Sequence, residues 1–191
     1  IFDIQDIGSR YYTYISTMTE VMKICSQLNI PFYVFDRPNP IGSIIDGPVM
    51  KEKFKSYVGM HKIPIRHGMT IGEIAIMINE NGWLGKGMKT NLKIVKMNGW
   101  ARNMYYDETG HDFIAPSPNI PDLETAIMYN GTCLIEGTNV SEGRGTDMPF
   151  LQIGAPWLNN KELILRLNSM NLLGVTFDET TFVPLSISGK S

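Results

Sequence analysis

Two short apolar runs bracket a helical stretch within the first 36 residues, and that succession restricts the chain to α/β architectures built on a parallel sheet. Residues 1–6 (IFDIQD) alternate apolar and polar as a strand does, with an acid at the C-terminal end. Between 11 and 28, Tyr11, Ile15, Met18, Met22, Ile24, Cys25 and Leu28 recur mostly at three- and four-residue steps, the spacing of one helix face. After Asn29, Ile30 and Pro31, the run Phe32-Tyr33-Val34-Phe35 ends at Asp36. A strand–helix–strand unit of this kind crosses over right-handedly and brings both strand C-termini to one edge, so Asp6 and Asp36 are expected together there. In open α/β sheets that edge is where ligands bind, although acids there also serve as helix caps.

The next segment, DRPNPIGSIIDGP (36–48), holds three prolines and two glycines and reads as a stiff loop with sharp turns. Thr70 and Glu73 have the spacing of a capping box, predicting a helix from 70 to about 81 that Gly82 stops, with Glu73 read mainly as a cap. A strand is predicted over 92–97, with Lys93 and Lys96 facing out. Composition then changes: 105–121 is irregular, with Pro116, Pro118 and Pro121 around Ser117 and Asn119. We place a domain boundary near 105–110, separating a parallel-sheet part over 1–105 from a second part over 106–191. In the latter we expect a helix from about Asp122 to Tyr129, a strand over 132–136, a Gly-rich loop over 137–146, a helix over 160–172 and a strand over 175–183. Both termini read as cut, since a strand is rarely the first thing a gene encodes without a leader and the sequence ends at Ser191 without an evident stop.

Charge narrows the partners. Seventeen Lys+Arg against 19 Asp+Glu, a net charge of -2, give no general attraction for nucleic acid or anionic lipid. No apolar run approaches the roughly 18 to 20 residues that span a bilayer. Cys25 and Cys133 lie in apolar stretches and read as buried free thiols. His61 and His67 lack zinc spacing, Asp6 and Asp36 have no third acid at ligand spacing, and we expect neither metal nor cofactor.

The densest polar segment is EGTNVSEGRGT (136–146). Its glycines let backbone approach a ligand, while Glu136, Asn139, Ser141, Glu142 and Arg144 offer varied hydrogen-bonding groups, a mixture suited to a sugar. The spacing is neither that of a phosphate-binding loop nor that of a dinucleotide fingerprint. An ordered surface loop with internally paired charges is the plainer alternative. Arg66-His67-Gly68 is the tripeptide of the histidine phosphatases, but it stands just before a capped helix rather than after a first strand. His67 is read equally as a helix-entry residue and as a substrate contact. Glycoside hydrolysis needs two groups flanking the bond, most often carboxyls, and Asp3, Asp6, Asp36, Glu136 and Glu142 are candidates.

Taken together, DIQDIGSRYYTY (3–14), FDRPNPIG (35–42), RHGMTIGE (66–73), PSPNIP (116–121), EGTNVSEGRGT (136–146) and PF…GAPW (149–157) make the chain resemble the NamZ-type exo-β-N-acetylmuramidase family (DUF1343). The resemblance covers nearly the whole chain. It implies a Rossmann-like N-terminal domain, a C-terminal α/β domain and an active site in a cleft, releasing N-acetylmuramic acid from non-reducing ends of peptidoglycan fragments. Muropeptides are then the partners, and a bacterial protein, secreted or periplasmic, is favoured over a cytoplasmic one. No oligomeric state follows. Because the sugar carries a lactyl carboxylate, the resemblance gives roles to Arg37, Arg10 and Arg144, each inside a matching motif. Asn39, Asn119, Asn139, Ser141 and His67 become readers of the sugar, with Arg37 and Asn39 foremost. For acid/base work we favour Glu136 and Glu142, then Asp6 and Asp36, because strand-edge and Gly-rich-loop positions both face a cleft. Family members extend beyond this chain at both ends, including an upstream Glu-His-Gly segment with a candidate carboxylate, so the chain is expected to be poorly stable or inactive alone. The competing readings are a muropeptide-binding protein without hydrolysis and a phosphotransfer enzyme built on Asp6 or His67.

Overall fold

A computed structural model describes residues 1–185. The chain divides into two compact units, Ile1–Ile127 and Met128–Ser191, with the division falling inside a helix. The stretch 105–110 therefore lies within the first unit.

In the first unit, α1 (Tyr14–Gln27) leads into β1 (Phe32–Phe35), and α2 (Ile71–Glu80) into β2 (Leu92–Val95). β1 and β2 pair in parallel, in the register Phe32↔Leu92 to Phe35↔Val95. On the other side of β1 the chain start contributes a single parallel bridge, Phe2↔Val34. The Phe2 N–H donates to the Tyr33 carbonyl at 2.8 Å and the Phe2 carbonyl accepts from Phe35 N–H at 3.0 Å. The strand expected over 1–6 is thus reduced to this bridge. Beyond it the backbone leaves the sheet: the Gln5 side-chain amide donates to the carbonyls of Asp6 and Pro38, and Gly8 turns with φ of 81°. The order is the expected parallel one, an α/β arrangement with part of a Rossmann-like sheet.

Helix ends follow the local chemistry. α1 stops at Asn29, which takes a left-handed φ of 57°, while Ile30 N–H reaches the Cys25 carbonyl and Asn29 N–H that of Ser26. That is a Schellman stop, with Asn in place of the usual Gly. α2 begins with the full capping box: Thr70 Oγ1 accepts from Glu73 N–H and the Glu73 carboxylate from Thr70 N–H. It runs ten residues and yields at Gly82, φ 68°.

The core lies on one face of the sheet. Phe32 and Val34 point into it from β1, meeting Ile15, Met18 and Met22 of α1 and Ile71, Ile74, Ala75 and Ile78 of α2, with Phe2, Ile63 and Leu84 closing the cluster. Each such aliphatic side chain contributes about 1.5–3 kcal/mol on burial. Truncation of Met18 or Ile78 to Ala would cost about 2–5 kcal/mol. The opposite face presents Tyr33, Phe35 and Val95 outward.

In the second unit two expected strands are absent. α3 (Leu123–Thr132) passes through Asn130-Gly131 and continues as a 3₁₀ turn, Cys133–Gly137, where a strand was expected over 132–136. Thr132 keeps right-handed helical angles and its hydroxyl donates back to the Met128 carbonyl at 2.9 Å, so the helix tightens instead of breaking. After α4 (Asn160–Ser169), residues 175–183 form no strand. Asn168 stands in for the missing partner strand: its amide donates to the Phe177 carbonyl at 2.9 Å and its oxygen accepts from Phe177 N–H at 3.0 Å. Cys25 and Cys133 are free but only half-buried, and burial still pushes the Cys133 thiol up to about 11. Among the described residues, no helix is long and apolar enough to cross a membrane.

Candidate functional site

The sheet's C-terminal edge opens into a cleft of about 790 Å³. Residues that directly follow the strands line it: Asp3, Asp36 and Arg37, Met97 to Trp100, and then Tyr106, His111 and Asp112 from the irregular segment. This is where the parallel order places a ligand site.

Arg37 is the cation of this cleft. Its Nε donates to Asp3 Oδ1 at 2.9 Å and its Nη2 lies 2.7 Å from the same oxygen, with both side chains substantially exposed. The guanidinium is held by one carboxylate oxygen and faces open space, which leaves donors for an incoming anion. Asp36, its neighbour, has a different task. Its carboxylate accepts from Gly72 N–H at 2.8 Å, Thr70 Oγ1–H at 3.0 Å and Arg37 N–H at 3.0 Å, tying the end of β1 to the start of α2. Burial raises its pKa above the usual carboxylate value despite these donors, and nearby Glu73 adds to the rise.

Asp6, His67 and Asn39 come together as well, but below the surface. Asp6 is 4% exposed and His67 1%. Asp6 Oδ2 accepts from Gly8 N–H at 2.8 Å and lies 3.4 Å from His67 Nε2. His67 Nδ1 accepts from Met69 N–H at 3.2 Å, which assigns the imidazole proton to Nε2, on the side of Asp6. Asn39 uses both ends of its amide on backbone, donating to the Met69 carbonyl and accepting from Ile41 N–H. Gly8 is required here, because a Cβ would sit 2.3 Å from Asn39 Oδ1. Asp6, expected as a second-choice acid/base group, and Asn39 and His67, expected as readers of the sugar, are thus buried and tie together the loops at 5–9, 38–42 and 66–70. Burial likewise raises the pKa of Tyr12, with contributions from Tyr14 and the charge of Asp6.

Arg10 is half-buried. Its Nη1 donates at 2.7 Å to the carbonyls of Pro48 and Ile63, and burial lowers its pKa. Asn119 sits half-buried in the turn closed by the Ser117–Ile120 bridge.

In the second unit, Arg144 stands between the two favoured glutamates. Its Nε donates to Glu136 Oε1 at 2.6 Å and lies 3.2 Å from Glu142 Oε1, while its guanidinium carbon is 4.9 Å from the Phe150 ring centre. Phe150 is fully buried against Tyr129, edge to face at 4.7 Å. Ser141 Oγ accepts from Gly143 N–H and its backbone bridges to Gly154, whereas Asn139 is exposed. The Gly-rich loop is therefore an ordered platform with internally paired charges.

Sequence reasoning missed Trp100, Tyr106, His111 and Asp112. They belong to a stretch without periodicity, and only its aromatic and proline density marked it. Among the described residues no three His, Cys, Asp or Glu side chains gather as metal ligands.

Comparison with known proteins agrees with this two-part arrangement. Residues 1–124 match the family model described as exo-beta-N-acetylmuramidase NamZ, N-terminal, and residues 127–190 match its C-terminal counterpart. The peptidoglycan beta-N-acetylmuramidase NamZ of Bacillus subtilis (strain 168) is 48% identical over 185 residues, 96% of this chain and 44% of that protein. A crystal structure of a DUF1343 family protein from Bacteroides fragilis NCTC 9343 superposes with a TM-score of 0.88 at 40% identity, covering 98% of this chain and 49% of that one. A second protein of the same family and organism gives 0.80 at 37% identity, over 96% and 46%. The chain thus spans about half the length of the relatives it matches. With both parts matched in order along the sequence, the chain belongs to the NamZ exo-β-N-acetylmuramidase family.

Proposed function

We propose that this chain is part of an exo-acting glycoside hydrolase that releases N-acetylmuramic acid from non-reducing ends of peptidoglycan fragments. The observation that carries the reading is Arg37, held by Asp3 at the strand-end cleft with donors turned outward. N-acetylmuramic acid differs from N-acetylglucosamine by a lactyl carboxylate, and a planar guanidinium suits that group. Trp100, half-exposed in the same cleft, offers an indole ring for a sugar to pack against. Asp36, with its pKa raised by burial, has the property a proton donor to the glycosidic oxygen needs. The name of the Bacillus subtilis relative supports the substrate class. The same reading puts the protein outside the cytoplasm, where a wall polymer is met.

A second reading, muropeptide binding without hydrolysis, draws on one observation. All four expected carboxylates are already engaged: Asp6 with Gly8, Asp36 with α2, and Glu136 and Glu142 with Arg144. The deciding experiment uses the natural-length protein and aryl β-glycosides of N-acetylmuramic acid and N-acetylglucosamine. Chromophore release from the muraminide alone supports the hydrolase. A folded protein that binds muramic acid and releases nothing selects the binding protein.

A further inference from the structure

The excursion at 46–66 has a built base and an unusual tip. At the base, Asp46 and Arg66 exchange backbone hydrogen bonds at 3.0 Å, Met50 N–H reaches the Ile63 carbonyl, and the Arg10 guanidinium clamps Pro48 and Ile63. His61 anchors the returning limb, stacked on Trp83 at 4.9 Å and bonded to Thr19. This is a closed surface loop whose ends are fixed in the core.

The tip runs KEKFKSYV, residues 51–58, and every one of the eight is exposed. Phe54 is 66% exposed, and Val49, Tyr57 and Val58 are each at least half exposed. The 3₁₀ turn at Glu52–Phe54 and the Ser56–Gly59 bridge shape the tip, while Ser16 pins the Tyr57 carbonyl at 2.6 Å and the Tyr57 hydroxyl lies 2.8 Å from Thr17 Oγ1 of α1. Lysines interleave them. Glu52 is matched by Lys55 at 3.5 Å and Lys62 at 3.8 Å, and Asp46 is at the base. Lys51 and Lys53 have no acid partner among the described residues, and Lys53 lies over the Phe54 ring. The net charge of the whole chain conceals this local excess.

We propose that this loop docks the protein onto an anionic phospholipid bilayer. Apolar side chains flanked by lysines match the two parts of such a surface: Phe54, Val49 and Val58 enter the acyl boundary, and Lys51 and Lys53 meet the phosphates. A polysaccharide is the poorer partner for Val49 and Val58, whose aliphatic side chains offer nothing to sugar hydroxyls, and for Lys51 and Lys53, which need an anion. The docking is independent of the muramidase reading.

The test is co-sedimentation of the natural-length protein with phosphatidylcholine vesicles, with and without phosphatidylglycerol, at low and high salt. The expected result is binding to the anionic vesicles only, weakened by salt. The Phe54→Ser/Val58→Ser and Lys51→Glu/Lys53→Glu double variants should each weaken it about tenfold or more, with thermal midpoint and any glycosidase activity unchanged. No binding to anionic vesicles overturns the proposal, as does equal binding by the variants. Variant-sensitive binding to isolated peptidoglycan with none to vesicles overturns it in favour of a wall polymer.

Discussion

The carboxylate of Asp36 fills the space where a side chain on Gly72 would be. Gly72 N–H donates to Asp36 Oδ1 at 2.8 Å, and a Cβ on residue 72 would meet the carboxyl carbon at 2.7 Å. Gly72 is in the first turn of α2, so its small size lets the end of β1 cap the helix directly. Gly72→Ala should therefore destabilise by about 1–3 kcal/mol, although Ala is the better helix former by up to about 1 kcal/mol. Urea titration measures this, and a stabilised variant would show that the cap is dispensable.

Arg37 should act on specificity rather than on folding. Its side chain is more than a third exposed and its salt bridge to Asp3 is a surface one, worth about 1 kcal/mol or less. Arg37→Lys keeps the charge and loses the planar fork. On the muraminide we expect kcat/KM to fall about 10- to 100-fold, mostly through KM, with the glucosaminide background unaffected. An unchanged muraminide KM would remove Arg37 from substrate recognition.

Asp6 and His67 should matter to stability. Asp6→Ala leaves Gly8 N–H unpaired and removes the carboxylate facing His67 Nε2, in a place closed to water. A loss of about 2–4 kcal/mol follows from the stranded buried donors. Asp6→Asn keeps an acceptor for Gly8 and should lose less. If both variants unfold at the urea midpoint of the parent, these buried bonds carry no stability.

His61 makes the fold sensitive to acid. Burial lowers its pKa from 6.5 to about 4, and Lys55 and Lys23 push the same way. Thr19 donates to the Ile15 carbonyl, so its oxygen accepts from His61 Nε2–H, and it is burial with the two lysines that disfavours the charged ring. Once unfolded, the ring takes up a proton near pH 6.5. Between about pH 6.5 and 4 the unfolded chain binds more protons, so stability is full above that window and falls as pH falls through it. The loss is at most about 3 kcal/mol by pH 4. Thermal midpoints of the parent and of His61→Gln across this range should converge as pH falls. Parallel curves would show that another group sets the acid limit.

Local pattern settled those elements whose determinants are neighbours in sequence. The three- and four-residue apolar steps specify α1, Thr70 and Glu73 specify the start of α2, and FYVF specifies β1, because helix period and capping act within a few residues. The six ordered motifs carried the family. Where partners are distant, sequence was insufficient. Whether Thr132 ends α3 or extends it depends on which carbonyl its hydroxyl finds. Residues 175–183 have strand composition, yet the hydrogen bonds there come from the Asn168 side chain rather than from a ladder. The site divided in the same way. Sequence placed Asp6 at a strand end, and the resemblance made Asn39, His67 and Arg37 contacts to the sugar, but only packing decided that the first three lie buried between loops while Arg37 lines the cleft. Residue type fixes which hydrogen bonds a side chain is able to make, whereas burial, which depends on segments far apart in the chain, fixes which of them it does make.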